Sequence, residues 1–320
     1  MVGASTAGAR TGITRKNDAV IFGSPFTVVD GGLSTVLDAQ GFDLRHPLWT
    51  GRLITESPEA LVEAHLAYLR SGAEVLITAS YQASVAGFEH MGLGRQAAEA
   101  ALASTTALVR EAVLRHGSAA LVAASVGPYG ATRADGSEYH GDYDIDEAEL
   151  LDFHRQRLEV LVASGPDLLA IETIPSVAEA RAIADAMLSV APTPSWFAFV
   201  CRDAQHTAGG DRIEDAIEVA ATITGIVAVG VNCTDPRLIG PLLDRAAAVT
   251  DLPLVAYANS GQSWNAAGAH WQGEPIPADD PALVARWIDA GARLIGGCCG
   301  AGPTQIASLR AQRDAIALQG

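Results

Sequence analysis

The sequence predicts a single (β/α)8 barrel, on three observations: eight short apolar runs, helical stretches between them, and a turn motif that repeats. The runs, rich in Val, Ile, Leu and Ala, lie at 27–30, 74–78, 119–126, 167–173, 196–201, 226–233, 253–259 and 293–299. They are continuously apolar rather than alternating, as strands buried on both faces of a parallel sheet must be. Their centres stand about 38 residues apart on average, so eight β/α units fill the chain as they would a barrel of this class. A doubly wound sheet is the competitor, but no GxGxxG follows any of the runs.

The intervening stretches have helical periodicity. Residues 58–70 place Leu61, His65, Tyr68 and Leu69 on one face, with Ser57 as cap and Pro58 in the first turn. Residues 146–164 place Leu150, Leu151, His154, Leu158, Leu161 and Val162 likewise. The repeated turn is seen in SGAEVLIT (71–78), SGPDLLAIET (164–173) and AGARLIGG (290–297), where a glycine ends a helix and a strand begins at once. The long segments 31–57, 79–95 and 127–145 follow strands and carry Trp49, Tyr81, Phe88, Tyr129, Tyr139 and Tyr143. In a barrel they crown the C-terminal face, where substrates bind.

Composition removes several classes of function. The net charge of −16 disfavours nucleic acid. There are twenty arginines and one lysine, Lys16, which sits in a polar stretch (1–18) expected to form a flexible N-terminal arm ahead of one domain over 19–320. Schiff-base, pyridoxal-phosphate and P-loop chemistry are therefore close to excluded. No apolar run approaches the ~20 residues of a membrane span, and the arm lacks the apolar core of a secretory signal. Four cysteines, two of them adjacent, make no disulfide framework, so a cytoplasmic protein with reduced thiols is expected.

The placement of the cysteines is the most informative feature. Cys233 ends the sixth predicted strand and Cys298–Cys299 end the eighth, so three thiolates converge at the catalytic rim. Three sulfurs and an open fourth position describe a catalytic zinc site. Glycines 296, 297 and 300 allow two consecutive cysteines to bend toward one ion. Cys201, at the end of the fifth strand, is read as packing, and none of the eight histidines has HxH or HExxH spacing. The glycine-rich NSGQS (259–263) and GGCCGAG (296–302) occupy the usual phosphate-binding position of barrels, but cysteines and an acidic balance suit phosphate poorly. A zinc ion with three thiolates is a soft host for a substrate thiol, which loses its proton there and stays nucleophilic. Alkylation of that thiolate by a cationic sulfonium or ammonium donor is the natural reaction, and acidic and aromatic residues at the mouth suit such a donor.

GVNC (230–233) and GGCCG (296–300) carry a specific resemblance. Together with DGGLST (30–35), PLWT (47–50), TASYQAS (78–84), VGPYGA (126–131), DGSEYHGDY (135–143), AIET (170–173) and NSGQ (259–262), they resemble the homocysteine S-methyltransferase family from about 20 to 310. The chain is most similar to the enzymes that use S-methylmethionine, and also S-adenosylmethionine, rather than betaine. The resemblance implies a zinc-bound homocysteine thiolate that takes the donor methyl to give methionine. It implies Cys233, Cys298 and Cys299 as zinc ligands, Asp30, Gly31 and Gly32 as the loop holding the amino-acid part of homocysteine, and Glu172 as the partner of its ammonium. Thr173 and Asn232 are neighbouring candidates for polar contacts. Tyr81–Gln82 stands where the betaine enzymes place an aromatic pair near the metal. The alternatives kept open are a selenocysteine or other thiol acceptor, and a zinc or redox thiol protein without transferase activity. The expected assembly is a monomer or small homo-oligomer.

Overall fold

The computed structural model describes residues 25–44, 49–265 and 270–318. The expected arm, 1–18, lies outside them. Eight parallel strands form the barrel: β1 (Thr27–Val28), β2 (Val75–Ile77), β3 (Leu121–Val126), β4 (Leu168–Ile174), β5 (Ser195–Phe199), β6 (Ile226–Asn232), β7 (Leu254–Ala258) and β8 (Ala292–Gly297). Each strand pairs with its sequence neighbours and β8 pairs with β1. A parallel bridge between Val29 and Val75 links β1 to β2 and closes the ring. The outer helices are α1 (Pro58–Arg70), α2 (Arg95–His116), α3 (Glu147–Ala163), α4 (Val177–Met187), α5 (Ile213–Ala221), α6 (Pro236–Ala247), α7 (Pro281–Asp289) and α8 (Pro303–Ala317). Each of the eight apolar runs thus overlaps a barrel strand, to within one residue at its ends where the strand runs past it. A small antiparallel hairpin, Ser263–Asn265 with His270–Gln272, follows β7.

Strand alternation explains how the two buried layers divide. Odd or even positions facing inward, among them Val75, Leu121, Leu168, Ala170, Trp196, Ala228, Val255, Tyr257 and Leu294, fill the barrel. Their neighbours, such as Leu169, Ile171, Phe197, Val229 and Val231, pack against the helices. The inward rows end, at the C-terminal rim, on Ser125, Glu172, Asn232 and Cys298. Polar chemistry therefore collects at one mouth of an otherwise apolar cylinder.

Gly72, Gly165 and Gly291 all adopt left-handed φ (+91°, +71° and +106°), as the repeated αβ turn requires. The face predicted for 58–70 is buried at Leu61, His65, Tyr68 and Leu69. Ser57 departs from expectation, because its side chain makes no cap hydrogen bond. Its N–H is bonded to the Leu53 carbonyl of the preceding helical turn, so it joins two helices instead of starting one freely. Among the described residues no helix is long and apolar enough to cross a membrane.

Candidate metal centre

The sulfurs of Cys233, Cys298 and Cys299 lie within 4.8 Å of one another, the one such metal-ligating group among the described residues. None of the three sits within a strand, a correction to the sequence reading. Had β6 continued one residue further, Cys233 would have pointed toward the helices, opposite to Asn232. A left-handed backbone at Cys233 (φ +47°) turns the side chain back over the mouth. Its N–H donates to the Tyr257 carbonyl (3.0 Å), and its own carbonyl accepts from Asn259 Nδ2 (3.1 Å). Cys298 and Cys299 lie in the turn after β8, where strict alternation no longer separates consecutive side chains. Cys298 N donates to the Ala258 carbonyl (2.7 Å), and Ser260 N donates to the Cys299 carbonyl (2.9 Å). The NSGQ segment thus anchors both halves of the cluster.

The donor set fits zinc. Three sulfurs about 2.3 Å from one tetrahedral ion stand about 3.8 Å apart, inside the observed spread. Without a cation the thiols compete for charge: hydrogen bonds from Cys233 and Cys298 hold the Cys299 thiol well below the ordinary range, and the same crowding pushes Cys298 well above it. A divalent ion removes that conflict. Cys201 takes no part. It is buried in the layer beneath the helices, while its N–H donates to Thr234 Oγ1, which donates to the Asn232 carbonyl.

Beside the sulfurs lie two buried carboxyls. Ile77 N donates to Asp30 Oδ2 (3.0 Å), while Asp30 Oδ1 is buried without a partner. Glu172 accepts from Ser125 Oγ and from the Tyr257 hydroxyl, itself an acceptor from Trp196 Nε1 at 3.0 Å. Burial pushes Glu172 up to about 7 and Asp30 well above the usual carboxylate range, with the nearby Glu172 charge adding to the rise at Asp30. Gly31 and Gly32 are required by close approach: a Cβ on Gly31 would strike the Ala301 carbonyl, and one on Gly32 would lie 2.6 Å from the Cys298 carbonyl oxygen. Buried Tyr68, on α1, donates to the Gly32 carbonyl (2.7 Å) and approaches that of Ala301 (3.2 Å), tying the Asp30 loop to the cysteine turn.

Thr173 and Asn232 face each other. Asn232 Oδ1 accepts from Thr173 N and Asn232 Nδ2 donates to Thr173 Oγ1, both at 2.7 Å. Thr173 also has a left-handed φ (+60°), so this amide clamp secures two strained residues, Thr173 directly and Cys233 as its chain neighbour.

The structure adds residues that sequence reasoning missed. Arg157 is buried on α3 and donates to the carbonyls of Gly127 (2.8 Å), Tyr81 (2.6 Å) and Ser80, holding two crown loops. Its signal was available: Arg157 falls on the stripe of Leu150, His154 and Leu161. Fully buried Glu179 accepts from Tyr129 N (2.6 Å), His154 Nε2 (2.9 Å) and the Tyr143 hydroxyl (2.7 Å), bracing the third loop. Tyr139, from the quoted DGSEYHGDY, reaches the cluster itself, its hydroxyl 3.7 Å from Cys233 Sγ, and Glu138 precedes it in the same turn.

Comparison with known proteins agrees with this geometry. The homocysteine S-methyltransferase family model matches residues 27–313. The chain belongs to that family. Among relatives of the homocysteine S-methyltransferase family, homocysteine S-methyltransferase 4 of Zea mays is 42% identical over 306 residues, covering 90% of each chain. A selenocysteine Se-methyltransferase of Brassica oleracea var. italica is 40% identical over 304 residues, covering 89% of this chain and 88% of that one. The metallated form of the homocysteine methyltransferase MmuM from Escherichia coli superposes with a TM-score of 0.81 at 38% identity, covering 92% of this chain and 98% of that one. This homocysteine S-methyltransferase family member therefore shares a barrel with a solved relative that holds metal.

Proposed function

We propose that the chain transfers a methyl group from a cationic sulfonium donor, S-methylmethionine or S-adenosylmethionine, to the thiol of homocysteine, giving methionine. The observation that carries this reading is the meeting of three thiols and two buried carboxyls at one barrel mouth. Cys233, Cys298 and Cys299 would hold zinc, which supplies one chemistry: it keeps an incoming thiol deprotonated and nucleophilic at neutral pH. Asp30 and Glu172 take the homocysteine ammonium, the unpartnered Asp30 Oδ1 being the acceptor that awaits it. Gly31 and Gly32 let the Asp30 loop lie close against the cysteine turn, and the Thr173–Asn232 clamp holds the rim in shape. As the acceptor S–CH3 bond forms, the donor S–CH3 bond breaks; the donor leaves as a neutral thioether and the acceptor's proton has gone to solvent. A single catalytic domain over 19–320, in the cytoplasm as a monomer or small homo-oligomer, suits this chemistry, since the four free thiols persist in a reducing compartment.

A second acceptor, selenocysteine, is favoured by one observation, the 40% identity to a selenocysteine Se-methyltransferase. A selenolate suits the same soft metal. Purified protein incubated with homocysteine or selenocysteine, against S-methylmethionine, S-adenosylmethionine and betaine, tests both. Methionine is expected from the sulfonium donors and not from betaine, lost on chelation and regained with zinc. A zinc-loaded protein that methylates neither acceptor contradicts the assignment.

A further inference from the structure

The turn Ser137–Tyr139, between β3 and α3, stands over the cysteine cluster and carries two side chains that acceptor binding leaves unused. Glu138 is only 9% exposed, yet its Oε2 is buried and has no hydrogen-bond partner. Tyr139 spans the rim: its hydroxyl lies 3.7 Å from Cys233 Sγ while the residue remains 41% exposed. The turn is held firmly. Asp135 Oδ1 accepts from Ser137 N (3.0 Å), Gly141 N donates to the Ser137 carbonyl (2.9 Å), and Gly130 lets the strand of backbone pass, since a Cβ there would lie 2.5 Å from Glu138 N. Burial also pushes the Glu138 carboxyl up to about 7.

A buried carboxyl oxygen without a partner is costly in an apolar wall and persists where a ligand completes it. The ligand must be cationic to answer the carboxyl, and a charged atom without hydrogen-bond donors suits the place where the neighbouring Tyr139 offers a ring face rather than an acceptor. A sulfonium meets both conditions, and the transfer proposed above demands that a sulfonium sulfur stand over the cysteines. We infer that Glu138 and Tyr139 form the subsite for the cationic sulfur of the methyl donor, Glu138 through its charge and Tyr139 through its ring. The inference rests on the methyltransferase reading and adds a division of labour. Carboxyls on β1 and β4 serve the acceptor's ammonium, whereas the carboxyl on the crown turn serves the donor.

The test compares calorimetric binding of S-methylmethionine with that of its neutral carbon isostere, homoleucine, to zinc-loaded protein at pH 8.5. Wild-type protein is expected to prefer the sulfonium at least tenfold. Glu138→Gln erases that preference by raising the sulfonium dissociation constant about tenfold, leaving homoleucine, the homocysteine KM and one zinc per chain within twofold. Tyr139→Leu weakens sulfonium binding several-fold, and Tyr139→Phe, which keeps the ring, restores it. The inference is overturned if Glu138→Gln weakens both ligands alike, changes neither, or loses zinc, which would make Glu138 a metal-site residue. If wild-type protein makes no methionine, the transferase reading fails by itself, while the charge preference still decides the role of Glu138.

Discussion

With Cys298 replaced by serine, the purified protein is expected to carry less than about a tenth of a zinc ion per chain and to lose methionine formation by at least about a thousandfold. The reason is the donor chemistry: a serine hydroxyl stays protonated at neutral pH and is a hard ligand, so two thiolates remain where three were needed. Cys298 is half-buried at the end of an inward row, and serine is nearly isosteric, so the barrel survives. Elemental analysis after gel filtration reads the metal, and thermal melting separates metal loss from unfolding. The melting temperature of the variant should match that of chelator-stripped wild-type protein, because bound metal stabilises only the native state. Cys201→Ala is the control. That sulfur lies beneath the helices, and zinc content and activity should remain within twofold of wild type. Full zinc occupancy in Cys298→Ser would remove the cluster from the account.

Glu172→Gln is the second large effect, and its direction differs between binding and stability. The dissociation constant for homocysteine should rise about a hundredfold at pH 8, since one of two carboxylates facing its ammonium becomes neutral. In wild-type protein Glu172 holds its proton up to about pH 7 because burial disfavours its charge. Homocysteine binding should therefore strengthen as pH rises through 7 and level off above it, and the glutamine variant should flatten that limb. Stability runs the other way. The unfolded chain releases this proton near 4.5, the folded one near 7. Between those values the folded state binds more protons, so stability falls as pH rises through the window. The loss is on the order of 3 kcal/mol. Substrate-free Glu172→Gln should consequently melt higher than wild type at pH 8 and equally at pH 5. A variant less stable at pH 8 would show that the carboxylate is structural rather than held for a ligand.

These two residues also show what the sequence reveals and where it stops. The strands were readable because both of their faces are buried, so the runs are continuously apolar and bounded by turn glycines such as Gly72 and Gly165. Cys298 is legible as a strand end at the rim, whereas Glu172 is legible only through the family resemblance; the fold shows both as polar ends of inward rows. The sequence puts Cys233 at the rim but within the strand, because a left-handed φ at a non-glycine residue has no sequence signature. The crown was harder. DGSEYHGDY has no periodicity, and the reach of Tyr139 to Cys233 depends on a loop folding back across three strands. Arg157 escaped notice for a different reason: a charged residue on an apolar helical stripe is ordinarily solvated at its tip, and only the stacked carbonyls of residues 80, 81 and 127 explain its burial. Asn232 shows a further limit. Its type suits a ligand contact, and nothing in the sequence signals that its amide also clamps Thr173.

The central claim is that three cysteine sulfurs grip one ion and leave a place for the substrate's own sulfur. X-ray absorption at the zinc edge, on protein with and without homocysteine, measures this directly. The account predicts one zinc per chain with three sulfur neighbours, rising to four when homocysteine is added. A sulfur count that does not change on addition of saturating homocysteine would contradict it.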